Sequence, residues 1–165
     1  MKKNVAYLGV FLAFALILSY VETLIPFYFG IPGVKLGLTN LIVVVMLYTV
    51  GVKEAFAISI LRILLSGMLF GNVFSILYSL AGGLLSFLVM ALLIKSNRFH
   101  VITVSICGGI THNIGQILVA SVVVNSYYIL YYFPVLLIAG MITGMLIGIL
   151  AKEVGSRVIK ILRTE

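Results

Sequence analysis

Aspartate is absent from this chain, and so is tryptophan. The acids are Glu22, Glu54, Glu153 and Glu165, and charged residues of both signs make up 9% of the 165 positions. Without aspartate, the Asp-rich clusters that hold Mg²⁺ against phosphates are not available. With so few charges a water-facing surface is not covered either, since an average globular chain carries roughly 25%. The lone cysteine, Cys107, excludes a disulfide framework and a thiolate metal pair and reads as a small packing residue. No Gly-x-x-x-x-Gly-Lys-[Ser/Thr] loop occurs, so ATP hydrolysis is not expected of this chain.

What is present is hydrocarbon. Hydrophobic residues make up 63% of the sequence, in continuous runs near the length of about 20 residues that crosses a bilayer core. Continuity rather than alternation specifies helices and not a barrel. The expected fold is all-α, a polytopic membrane protein of six transmembrane helices forming one integral domain over 1–165. The spans fall near 4–25, 36–50, 54–70, 73–94, 101–124 and 133–151. They are separated by Pro26, Pro32-Gly33, Gly51, Gly71-Asn72, Ser96-Asn97 and the Asn125–Tyr132 stretch before Pro134. The second span is short. With both termini inside (N-in/C-in), all of the 11 cations except Lys35 and Arg62 fall on the cytoplasmic side. This is the positive-inside pattern of a multi-pass protein of the cytoplasmic cell membrane. It accounts for the basic character without nucleic acid, whose binding needs a concentrated patch. The first apolar run is too long for a cleavable signal. The tail from Lys152 continues helix six along the inner surface.

Small and polar residues mark the helix faces. Gly140, Gly144 and Gly148 recur at four-residue spacing, the pattern of close helix packing within a bundle. On helix one, Ala6, Gly9 and Ala13 form one small-residue stripe and Ala15 with Ser19 a second, suited either to internal packing or to docking another membrane subunit. Ala55, Ser59, Arg62 and Ser66 share one face of helix three. Helix four aligns Asn72, Ser75, Ser79, Gly82 and Ser86. Helix five aligns Ser105, Gly109, His112 and Gln116, with Asn113 alongside. Such faces make either a hydrogen-bonded seam or a polar cavity. An arginine in mid-membrane costs about 2.5–3.5 kcal/mol, so Arg62 requires carbonyls, a carboxylate such as Glu22, water or an anionic ligand. At the outer end, Glu22 closes helix one before an aromatic loop running from Pro26 to Lys35, and Asn40 lies near the start of helix two. The tyrosines at 127, 128, 131 and 132 fit an interfacial belt.

The segments PGVKLGLTN (32–40), LRILLSGMLFG (61–71) and SLAGGLLS (79–86) resemble the substrate-binding S components of energy-coupling-factor (ECF) transporters. More narrowly, the chain resembles the heptaprenyl diphosphate synthase component I family, also called the Gx transporter family. That resemblance implies an S-component-like bundle with an outward pocket closed by the loop after helix one over a vitamin- or cofactor-like ligand. It also implies a membrane coupling subunit with ATPases, docked on Gly9 and Ala13. Helix faces then place Asn40, Arg62, Asn72, Tyr78, His112, Asn113 and Gln116 around the substrate, with Lys35 supplied by the closing loop. No catalytic residue, metal or cofactor is expected. The alternative function is a non-catalytic membrane accessory of isoprenoid or quinone (heptaprenyl diphosphate) metabolism.

Overall fold

Glycine and asparagine mark breaks between the described helices, at Gly51, Gly71 and Asn97. The computed structural model describes residues 5–24, 37–123, 125 and 127–163. It contains α1 (Val5–Leu24), α2 (Asn40–Thr49), α3 (Val52–Phe70), α4 (Val73–Lys95), α5 (Val101–Val123) and α6 (Phe133–Arg163). A short 3-10 turn, Tyr127–Tyr132, leads into α6. There is no strand among the described residues. Pro134 sits in the first turn of α6, where its missing N–H is no loss. The reversal from α2 to α3 passes through Gly51 at φ 138°, a backbone region that disfavours side chains. Asn97, at φ 53°, turns the chain between α4 and α5.

Four helices are long and apolar enough to cross a membrane: α1, α4, α5 and the segment from Tyr128 to Lys160. The other two of the six expected spans fall short for separate reasons. α3 carries Lys53, Glu54 and Arg62. α2 has 10 residues, about 15 Å at 1.5 Å per residue, half the thickness of the hydrocarbon. It is a core helix, with Ile42 through Leu47 all buried, as an all-round apolar helix must be. Around it pack α3, α6 and the edge of α1. The tail beyond Ala151 does continue α6, to Arg163.

The slab formed by α4, α5 and α6 is held by backbone contact. A Cβ on Gly115 of α5 would lie 2.7 Å from the Ala81 carbonyl oxygen of α4. On the other side of α5, a Cβ on Gly144 of α6 would lie 2.7 Å from the Ser105 oxygen, and one on Gly148 would lie 2.8 Å from the Ile102 Cα. The Gly140–Gly144–Gly148 stripe is therefore an internal seam, the close packing that glycine permits between helices in lipid. Helix α1 behaves differently. Ala15 and Ser19 are its buried residues, whereas Ala6, Gly9 and Ala13 are exposed and a Cβ on Gly9 would meet nothing within 4 Å. Its two small-residue stripes thus have opposite fates, one inward and one outward.

The two ends of the bundle differ in chemistry. At one end, Leu8, Phe11 and Leu12 of α1 pack with Val50, Ile94, Val101 and Val158 around an apolar cluster containing Met46, Val104 and Ile147. The turns carrying Lys53, Lys95 and Arg98, and the last part of α6 with Lys152, Arg157 and Lys160, belong to that end. The Arg157–Glu153 pair there, 3.4 Å apart and exposed, adds little stability. At the opposite end the interior turns polar.

Gly144→Leu should wedge α5 from α6 and destabilise the bundle by about 1–3 kcal/mol or more, read as a lower thermal midpoint in detergent. Gly9→Leu should leave that midpoint unchanged.

Candidate functional site

Polar faces of five helices meet at the end away from the cationic turns. Each follows from the spacing of its residues. On α3, Ser59 and Arg62 are buried with Ala55, one turn apart. On α4, Gly82 and Ser86 are buried beneath Ser79. On α5, Ser105, Asn113 and Gln116 are buried, with His112 half-buried beside them. Arg62, Ser79, His112 and Gln116 from these faces, with Ser19, Glu22 and Thr23 of α1 and the start of α2, line a cavity of about 290 Å³. A second cavity of about 20 Å³ lies deeper, between α2, α4, α5 and α6, and shares Gly37, Asn40, His112 and Gln116 with the first. That smaller space suits about one water molecule.

Arg62 is the centre of the larger cavity. It is 8% exposed, and its Nη2 donates to the Asn40 side-chain oxygen at 2.8 Å. Its Nε is buried with no hydrogen-bond partner among the described residues. Asn40 begins α2, and its backbone N–H donates to the Gly37 carbonyl at 2.8 Å. Gly37 has φ +70°, so the turn that delivers Asn40 to Arg62 favours glycine. The same turn holds Glu22. Gly37 N–H donates to one carboxylate oxygen and the Thr39 hydroxyl to the other at 3.3 Å. Ser19 and Thr39 hydroxyls lie 3.1 Å apart and tie α1 to the same turn.

Of the substrate residues expected from sequence, Asn40, Arg62, His112 and Gln116 line this cavity together. Asn113 faces the small inner cavity and donates to the Leu136 carbonyl at 2.7 Å, bridging α5 to the first turns of α6. Asn72 caps α4: its side chain accepts from Ser75 N–H, and Ser75 Oγ accepts from Asn72 N–H. Tyr78 is half-buried and lines neither cavity. Lys35 and the segment from Pro26 to Lys35 lie outside the described residues. Thr23, next to the last residue of α1, and Gly37, just before α2, both line the cavity. Gly9 and Ala13 are exposed on α1, remote from the cavity lining.

Ser19, Thr39, Ser66, Ser75 and Ser79 also line the cavity and were not among the expected binding residues. Ser66, Ser75 and Ser79 had a signal in their helical spacing. Ser19 carried one too, three residues before Glu22 on the same face of α1. Thr39 had none, because its part depends on how the turn before α2 folds back on α1. No group of three His, Cys or Glu side chains is placed to hold a metal among the described residues.

A family model described as heptaprenyl diphosphate synthase component I matches residues 11–154. The chain belongs to that family. The matched span includes every residue that lines the two cavities. No curated protein and no solved structure matches the chain.

Asn40→Leu should strand the Arg62 guanidinium in a buried setting and cost about 1–3 kcal/mol. Chemical denaturation in mixed micelles checks this. Asn72→Ala, which removes a helix cap at the rim, should cost about 1 kcal/mol.

Proposed function

We propose that the protein is the substrate-binding membrane subunit, S-component-like, of an ECF-type transporter for a small vitamin- or cofactor-like molecule. The observation that carries this reading is the buried Arg62, held by Asn40 at the wall of a cavity of about 290 Å³. A buried guanidinium is costly unless its donors are met, and Asn40 meets one of five. A small polar or anionic ligand would meet others. Lys35, His112 and Gln116 complete the proposed binding set, and the segment from Pro26 to Lys35 is its proposed cover.

In this reading the six helices all belong to the membrane domain, with the short α2 buried among its neighbours and α3 turning Leu61, Leu64 and Met68 outward. Both termini face the cytoplasm of the cell, and the cavity opens outward. The collection of Lys53, Lys95, Arg98, Lys152, Arg157 and Lys160 at the end opposite the cavity supports this orientation. The exposed Gly9–Ala13 face supports a membrane coupling subunit with ATPases as partner. No catalytic residue, metal or cofactor is assigned.

The family's description favours a second reading, a non-catalytic accessory of heptaprenyl diphosphate metabolism. The lining of the cavity argues for the first: Arg62, Glu22, His112, Gln116 and several hydroxyls suit a compact polar molecule better than a long polyprenyl chain. The missing aspartates argue against metal-dependent prenyl transfer in either case.

Native mass spectrometry of gently extracted protein should show a bound small molecule that is lost in Arg62→Met while the thermal melt stays cooperative. Retention of that molecule in the mutant would assign Arg62 to structure. Affinity purification from membranes should recover a coupling subunit with the wild type and lose it with Gly9→Leu. Recovery of a soluble prenyl synthase, indifferent to Gly9→Leu, would favour the accessory role.

A further inference from the structure

Among the described residues that line the larger cavity, Arg62 and Glu22 are the formally charged side chains, and His112 is the other titratable group. Arg62 and Glu22 share one small space, yet no ion pair joins them among the described residues. Opposite charges in a poorly hydrated site attract strongly. Something must hold them apart, and the start of α2 does so. Asn40 takes a hydrogen bond from Arg62, while its neighbour Thr39 and the Gly37 N–H donate to Glu22. The two charges are thus pinned on either side of the Thr39–Asn40 dipeptide.

Neither group is saturated by these contacts. Each carboxylate oxygen can accept two hydrogen bonds and receives one from the described residues. The guanidinium has five donors, of which Asn40 receives one. Arg62 is more than nine-tenths buried, and its Nε lacks a partner among the described residues. One wall of the cavity therefore offers donors and another offers acceptors. A purely anionic occupant would satisfy Arg62 and be repelled by Glu22. A purely cationic one would meet the reverse.

Building on the ligand-binding reading above, we infer that the occupant is dipolar. It is a compact molecule with a carboxylate or other strong acceptor against Arg62 and Asn40, and a protonated amine or other strong donor against Glu22. The apolar side chains of Ile63 and Phe70 in the same lining accommodate the hydrocarbon or ring between the two ends.

The test uses full-length protein in lipid nanodiscs and three probes that share one skeleton: para-(aminomethyl)benzoate, para-toluate and benzylamine. Calorimetric titration should show the dipolar probe binding about tenfold or more tighter than either single-ended probe. Glu22→Gln should remove its advantage over para-toluate, and Arg62→Met its advantage over benzylamine. Glu22→Asp keeps the charge and should keep the preference, which separates loss of charge from damage to the fold. Para-toluate binding the wild type as tightly as the dipolar probe would overturn the dipolar occupant while leaving a ligand site in place. If none of the probes binds, the molecule that co-purifies decides: a species with both an acceptor and a cationic or donor end supports the inference, and one without a donor end overturns it. No bound molecule of any kind overturns both this inference and the transport reading.

Discussion

The hydrogen bond from Arg62 to Asn40 joins a charge on α3 to the first residue of α2 in a chain whose other helices are built for hydrocarbon. A guanidinium at this depth is tolerated only where protein, water or ligand replaces bulk solvent. Much of the polar end follows from that need. Ser59 and Ser66 accompany Arg62 on α3, and the faces of α4 and α5 that meet them carry serine, histidine and glutamine. The turn at Gly37 brings Asn40 into reach and fastens Glu22 at the same time. Removing the arginine would remove the reason for a polar interior.

Such an interior needs rigid walls. Helices α4, α5 and α6 supply them by bringing backbone against backbone at glycine, an arrangement that holds in lipid because close packing rather than solvent exclusion drives association. Helix α1 is attached less intimately, through Ala15, Ser19 and the Glu22 turn. Its outward face of Ala6, Gly9 and Ala13 is left open. The bundle thus combines a closely packed slab with a peripheral helix that contributes to the cavity on one side and presents small residues on the other. The ligand-binding subunit proposed above, coupled to a membrane partner, would use both.

The absence of aspartate bears on function as well as on location. The chain lacks the aspartates of an Asp-rich metal-diphosphate motif, and Glu22 is the acid that lines the cavity of the buried arginine among the described residues. On the dipolar reading proposed above, the described lining, with Arg62 on one side of the Thr39–Asn40 dipeptide and Glu22 on the other, selects by charge pattern more than by net charge.

The sequence alone determined the class of the molecule. Long apolar runs, scarce charge and the one-sided distribution of lysine and arginine specify a helical membrane protein, and helical spacing identified Arg62, His112 and Gln116 as inward-facing. These properties are local, because periodicity and hydropathy are written residue by residue. Asn72 shows where local reading stops: its polar side chain is used to cap α4, and a polar residue at a helix start is ambiguous until the cap is seen. Asn113 was legible as inward-facing, but not as the bridge to the Leu136 carbonyl. Only the tertiary structure decided that Thr39 belongs to the site, that α2 is a buried core helix, and that α1 turns one small-residue stripe inward and the other outward. Each of those depends on contacts between residues far apart in the chain, which hydropathy and spacing do not encode.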